Sequence, residues 1–252
     1  MNRPRASSIA HAVRSRILRG GEDRLWTYAD FPRLDRMAVA AALSRLARAG
    51  DITRVRRGVY YRPKATRFGP SRPDPESLVD AVLRQRGAGG VPSGPGQYNR
   101  LGLTTQVAGA VTRATPRRVP RAPVPGVAVY AAERPLGRQR GIRPAERTAL
   151  DALRDVTRIP GASPGEVLRR LKTLFRSRHL DFARLARFAR AEPPRVRALL
   201  GALGTDLRAE GATRAVPSSA LAELRAGLNP LTAFRLPGVD GVLRHAAAWR
   251  IK

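Results

Sequence analysis

The clearest hydrophobic pattern lies between residues 36 and 62, RMAVAAALSRLARAGDITRVRRGVYYR. Val39, Leu43 and Leu46 recur at i, i+4 and i+7, the spacing of one buried face on a helix. Met37, Ala38, Ala41, Ser44, Arg45 and Arg48 fall on or beside the opposite face. Gly50 follows as a C′ residue free to adopt positive φ. Ile52 to Val55 and Val59 to Tyr61 hold enough β-branched and aromatic residues to form strands. Between them Arg56, Arg57 and Gly58 make a three-residue loop whose glycine suits a left-handed bulge position, which puts two arginines at an exposed tip.

Upstream, the stripe Ile9, Val13, Arg16 and Ile17 predicts a helix from about Ser7 to Leu18, with Ser7 or Ser8 available as its cap and Gly20 and Gly21 ending it. Leu25 to Tyr28 reads as a short strand able to pair with the hairpin, Ala29 to Leu34 as a brief helix, and Asp35 as the N-cap of the next. Helix, strand, helix, helix, hairpin is the order of a winged helix-turn-helix, expected here over residues 1–65. The Pro/Gly/Arg stretch Lys64 to Pro73 has no periodicity and predicts a linker, its body at 66–73.

A small α+β domain is expected over 74–142. It opens with Asp74 as cap and Pro75 at the first helical position, and Leu78, Val79 and Val82 supply the buried face. Val107 to Thr115 and Val127 to Ala131 read as strands separated by the proline-spaced basic segment Pro116 to Pro125. From 143 to 252 the pattern is helical: Glu146 to Val156, a capping box at Ser163 and Glu166 opening a helix to about Arg178, Asp181 to Ala191, Pro194 to Glu210, and a last helix capped by Ser218 or Ser219. The predicted class is therefore α+β, mainly helical.

Charge sharpens this picture. Lys+Arg 48 against Asp+Glu 19 gives a net charge of +29, so polyanions are attracted by a field that salt screens. Coding bias toward GC-rich codons accounts for arginine replacing lysine, but not for the missing acidic partners. The excess is spread along the chain, so charge alone does not locate a site; the hairpin does. Arg36, Met37, Ala41, Ser44 and Arg45 are the expected base-reading surface in a major groove, with arginine able to contact guanine in bidentate fashion. Arg48, Arg54, Arg56, Arg57, Arg62 and Lys64 are expected on phosphates, and Arg3 and Arg5 as an arm along the backbone or in the minor groove.

Catalytic chemistry finds little support. The three histidines, His11, His179 and His245, stand far apart without a second metal-type ligand at helical spacing. Asp151 and Asp155, at i and i+4, offer a possible magnesium pair, but Arg147, Arg154 and Arg158 beside them favour solvated ion pairs. No P-loop or nucleophile elbow appears, and with no cysteine there is neither a disulfide nor a thiolate site. The expectation is a non-enzymatic chain without metal or cofactor. A polar start and the lack of a long apolar run point to the cytoplasm and away from membranes.

The string PSGPGQYNRLGLTTQV at 92–107, standing after ALSRLARAGDITRVRRGVYYRP at 41–63, resembles the AbiEi family of antitoxins. LRAGLNPLTAFRL at 224–236 is similar to the ends of some members. The resemblance implies a bacterial type IV toxin-antitoxin operon. In it the antitoxin binds inverted repeats in its own promoter as a repressor. It also counteracts a nucleotidyltransferase-like toxin without needing a stable complex. Two alternatives stand beside it: another winged-helix transcriptional regulator, and a basic RNA-binding accessory protein.

Overall fold

The computed structural model describes residues 6–116, 124, 128–134, 136, 140–239 and 241–252. These form a mixed α/β chain of helices and small sheets, divided into two compact units. One contains the described residues of 1–90 and 117–131, the other those of 91–116 and 132–252.

In the first unit, α1 (Ala6–Arg19) buries Ile9, Val13 and Ile17 against α2 (Arg36–Arg48), which contributes Val39, Ala42, Leu43 and Leu46. Asp35 starts α2 as expected, its carboxylate accepting the Ala38 N–H at 2.9 Å, a cap worth about 1 kcal/mol. The helix closes in a Schellman turn, with the Asp51 N–H donating to Leu46, the Gly50 N–H to Ala47, and Gly50 at φ +81°. α1 is described from Ala6 onward, with Ser7 and Ser8 within the helix.

β1 (Arg24–Thr27), β2 (Thr53–Arg56) and β3 (Val59–Arg62) form an antiparallel sheet of order β1-β3-β2. Trp26 pairs with Tyr60 and Leu25 with Tyr61, so the two pairs point to opposite faces. Trp26 and Tyr60 enter the core formed by α1 and α2, where Trp26 stacks on Phe31 at 5.9 Å. On the other side α3 (Pro75–Gln85) packs against β1 and β3, with Leu78, Val79 and Val82 buried. The Asp74 cap and Pro75 start are as expected, yet α3 completes the first unit; the expected break after residue 65 does not divide the packing.

Two other expectations change. In place of a helix over Ala29 to Leu34 there is a 3-10 turn at Tyr28–Asp30. The Asp30 carboxylate takes the N–H and hydroxyl of Thr27, and Pro32 lacks a donor and disfavours helical backbone at Phe31. The expected linker holds a small hairpin, β4 (Ala65–Thr66) paired with β5 (Gly69–Pro70). Its base is tied by the Ser71 N–H to Lys64 O at 2.9 Å, and by Ser71 and Tyr61 hydroxyls donating to Asp23. Those two hydrogen bonds, from Ser71 first, hold the Asp23 carboxyl below its ordinary range.

In the second unit β6 (Val91–Pro92) pairs antiparallel with β7 (Val111–Thr115), and α4 (Pro95–Arg100) lies between them in sequence. Val107 is exposed ahead of β7, so that strand starts later than expected. β8 (Val129–Glu133) straddles the division after residue 131, and Val127 and the basic segment 117–123 lie outside the described residues. Five helices follow: α5 (Pro144–Arg154), α6 (Pro164–Arg176), α7 (Phe182–Ala189), α8 (Pro194–Ala209) and α9 (Ser218–Ala226). The Ser163 and Glu166 capping box opens α6 as expected, whereas α9 follows Pro217 without a side-chain cap. α8 is buried along most of its length, and Gly201 meets the Trp249 ring so closely that a Cβ would come within 2.2 Å of it. Among the described residues no helix is long and apolar enough to cross a membrane.

Lys172 is buried between Asp206 at 2.9 Å and Glu210 at 3.0 Å, and donates to Val242 O at 2.7 Å. The Nδ1 of His245 lies 2.6 Å from Asp206 Oδ1. Burial alone would raise the Asp206 carboxyl, but the hydrogen bonds from Lys172 and His245 outweigh it and hold the group below its ordinary 3.8. A depressed folded pKa stabilises above the unfolded value and is lost as pH falls through the folded one. Asp206→Asn is therefore expected to flatten the loss of stability below about pH 4, read from urea midpoints across pH. In the first unit Leu43, fully buried, becomes a cavity in Leu43→Ala, with an expected cost of about 2–5 kcal/mol in the same measurement at neutral pH.

Candidate nucleic-acid interface

α2 shows its polar side to solvent. Arg36, Met37, Ala41, Arg45 and Arg48 are all exposed, Met37 at 78%. An exposed methionine of that degree gains nothing from the core, so the stripe is a surface with apolar as well as cationic character. Ser44 sits at its edge, half-buried, with its hydroxyl 3.4 Å from that of Tyr60. At the start of the helix the Arg36 guanidinium lies over the Tyr28 ring, 5.4 Å from its centroid. Burial, then Tyr60, raises the pKa of the Tyr28 phenol, which stays protonated.

The hairpin beside it differs from the expectation in one respect. Arg56 belongs to β2, opposite Val59, and is half-buried; the turn is Arg57 and Gly58, so Arg57 alone is an exposed arginine at the tip. A register shift between Arg54 and Arg56 takes up the extra residue that the sequence reading put in the loop. Gln85, at the end of α3, donates its amide to Arg57 O at 2.8 Å. A Cβ on Gly58 would come within 2.1 Å of that amide nitrogen and 2.9 Å of the Tyr28 ring, and φ there is +77°, so glycine is needed for both space and conformation. Tyr28, Arg36, Met37, Ala40, Arg56, Arg57, Gln85 and Arg86 line a cleft of about 570 Å³ between helix and hairpin.

Of the residues assigned to phosphates, Arg48 and Arg54 are exposed beside this cleft's helix and hairpin, whereas Arg62 is a correction. Its Nη1 donates to Ile17 O at 3.3 Å and Leu18 O at 2.9 Å, satisfying the last carbonyls of α1, so its charge serves the fold. Lys64 is exposed but stands past the far end of β3 from Arg57, at the base of the β4–β5 hairpin. Arg3 and Arg5 lie outside the described residues. Tyr28, Ala40, Gln85 and Arg86 were not foreseen. Arg86, the C-cap of α3, was visible in the sequence, but placing that helix in another domain concealed its relation to the hairpin. From Arg36 to Lys64 there are eight basic residues and one acidic residue, Asp51, which lies 3.7 Å from Arg14.

The two carboxylates weighed as a magnesium pair have a different environment from the solvated one expected. Asp151 is buried and accepts from Arg134 Nε at 3.0 Å and Ser93 Oγ at 2.6 Å. Asp155 accepts from Arg134 Nη2 and from the Tyr98 hydroxyl, each at 2.8 Å. Burial and these two carboxylates push the Tyr98 pKa far up. One guanidinium thus bridges both acids, and Ser93 and Tyr98 of the 92–107 string have a structural task there. Among the described residues there is no group of three or more histidine, aspartate or glutamate side chains arranged to hold a metal ion.

Residues 24–119 match the model of a family of unknown function, DUF6088. Among solved structures the chain is similar to the RV2827C protein from Mycobacterium tuberculosis, with 18% identity, 93% of this chain and 86% of that chain covered, and a TM-score of 0.43. No curated protein matches it. The family match begins at β1 and takes in α2, the hairpin, α3 and the 92–107 string.

Removing Arg134 leaves two carboxylates facing each other with little solvent. Arg134→Met is expected to cost about 3–5 kcal/mol in urea unfolding at neutral pH. A loss below about 1 kcal/mol would instead fit the solvated pairs first expected.

Proposed function

We propose that this chain is a duplex-DNA-binding regulator whose first unit is a winged helix-turn-helix. The observation that carries the reading is the exposed stripe Met37, Ala41, Arg45 and Arg48 on α2, set beside an arginine-bearing hairpin in a stretch with a single carboxylate. The sheet order β1-β3-β2, with α1 and α2 on one face, is what this reading asks for. A helix of 13 residues is about 20 Å long and fits a major groove about 12 Å wide. In that pose Arg45 and Arg36 read guanine edges, Met37 and Ala41 meet thymine methyls, and Arg48, Arg54, Arg56 and Arg57 meet phosphates. Gln85 fixes the hairpin's angle through Arg57 O, so the phosphate contact is preorganised.

The resemblance of residues 41–63 and 92–107 to AbiEi antitoxins supports the finer reading. The chain then represses its own promoter through inverted repeats and counteracts a nucleotidyltransferase-like toxin without a stable complex, as a cytoplasmic protein without catalytic activity or cofactor. Because Ser93 is tied to the buried Asp151 and Tyr98 to the half-buried Asp155, that string supports the fold of the second unit and leaves DNA contact to the first.

Footprinting on the DNA upstream of its own coding sequence tests the reading, and a protected inverted repeat is the expected result. Preference for structured RNA over that duplex would overturn it. Arg57→Ala is expected to weaken binding to all duplexes alike and to lower the slope of log K against log salt by about 0.9. Arg45→Ala is expected to relax sequence preference, with about 1–3 kcal/mol of discrimination lost at one base pair.

A further inference from the structure

The segment that reads as a linker carries an exposed aromatic ring at its turn. Phe68 is 85% exposed at the turn of the β4–β5 hairpin, and the Arg67 guanidinium lies over its ring, 4.6 Å from the centroid. The turn is held by three contacts of its own: the Thr66 hydroxyl donates to Gly69 O at 2.6 Å, the Phe68 N–H donates to Thr66 Oγ1 at 3.2 Å, and Thr66 pairs with Gly69. At its base the Lys64 N–H donates to Ser71 Oγ at 2.8 Å, and Ser71 in turn is bound to Asp23. A large apolar side chain is thus presented to water on a short, well-braced turn. No core residue requires it there.

We infer that this turn is a second nucleic-acid contact, in which Phe68 stacks on an unpaired base. Three features favour that occupant. From Ile52 through Pro73 the chain has no acidic residue, Arg67 lies over the ring, and Lys64 and Arg72 flank the hairpin in sequence, all three exposed, which suits a phosphate backbone. The ring stands alone, whereas a protein partner is usually met by a contiguous apolar patch. With a guanidinium on one face and the other open, the ring offers a platform of the kind that single-stranded nucleic acid uses: base on aromatic, cations along the backbone. The turn lies past the end of β3 opposite to Arg57, so it is separate from the duplex surface of α2 and the hairpin tip, and does not rest on the function proposed for them.

The full-length Phe68→Trp variant supplies a direct probe, because Trp26 and Trp249 are both buried and the introduced indole is the exposed emitter. Oligodeoxythymidylate at low salt is expected to quench that emission. Phe68→Ala is expected to bind oligodeoxythymidylate about tenfold more weakly with an unchanged salt slope, since a stacking contact and no phosphate contact is lost. Arg67→Ala is expected to lower the slope by about 0.7. The exposed position lets these variants fold, which their thermal melts check.

Absence of quenching, or wild-type binding by Phe68→Ala, would overturn the inference. Equal quenching by a mixed-sequence duplex would overturn the assignment to unpaired bases. A blue shift on phosphatidylserine vesicles without quenching by the oligonucleotide would assign the turn to a membrane surface instead. Loss of promoter protection in Arg45→Ala with intact oligodeoxythymidylate binding separates the two sites.

Discussion

Strand β3 is the constraint on which the first unit depends. Val59, Tyr60 and Tyr61 are all buried, so the strand is covered on both faces, by α1 and α2 on one and by α3 on the other. A slip of one residue would exchange the environments of Tyr60 and Tyr61. Tyr60 has its hydroxyl at Ser44 on α2, and Tyr61 donates to Asp23 ahead of β1. These contacts make the register unique. They also set the two ends of the strand, with the Arg57 turn before it and the β4–β5 turn after it.

From that register the surface follows. α2 is fixed by its Asp35 cap, its Schellman turn and its apolar face, so its remaining positions have one direction left, toward solvent. The hairpin is fixed by β3 and by Gln85, which makes the C-terminal end of α3 part of the same surface. Charge then accumulates by exclusion: Arg36, Arg45, Arg48, Arg54 and Arg57 are exposed on elements that have little freedom to move apart.

What could be read from the residues alone was what local physics decides. The i, i+4, i+7 stripe of α2, the Asp35, Asp74 and Ser163 caps, Gly50 at positive φ and the strands around Arg57 were all legible, because each depends on neighbours within a few residues. The failures share the opposite property. The apolar face of α3 was evident but not that β1 and β3 cover it; the β4–β5 hairpin is made by Ser71 and Asp23, 48 positions apart. Arg62 looked like its neighbours in the hairpin, and only the distant carbonyls of Ile17 and Leu18 distinguish it. Asp151 and Asp155 had nearby arginines in sequence, yet Arg134 from outside the helix is the one that reaches both.

The origin of the basic surface lies as much in the acids as in the arginines. Among the described residues most carboxylates are engaged in internal work, and twelve of them show how. Asp30, Asp35, Asp74, Glu166 and Asp181 cap helices or turns, and Asp23 ties down a hairpin. Glu146, Asp151, Asp155, Glu192, Asp206 and Glu210 neutralise Arg184, Arg134, Arg154, Lys172 or Arg176. A codon bias toward arginine would leave its cations scattered among surface acids. Here many acids are held by backbone N–H groups or by cations within the fold, and the exposed arginines of α2 and the hairpin lie in a stretch, 36–64, with one carboxylate, Asp51. That exposed charge is the observation on which the proposed polyanionic partner rests.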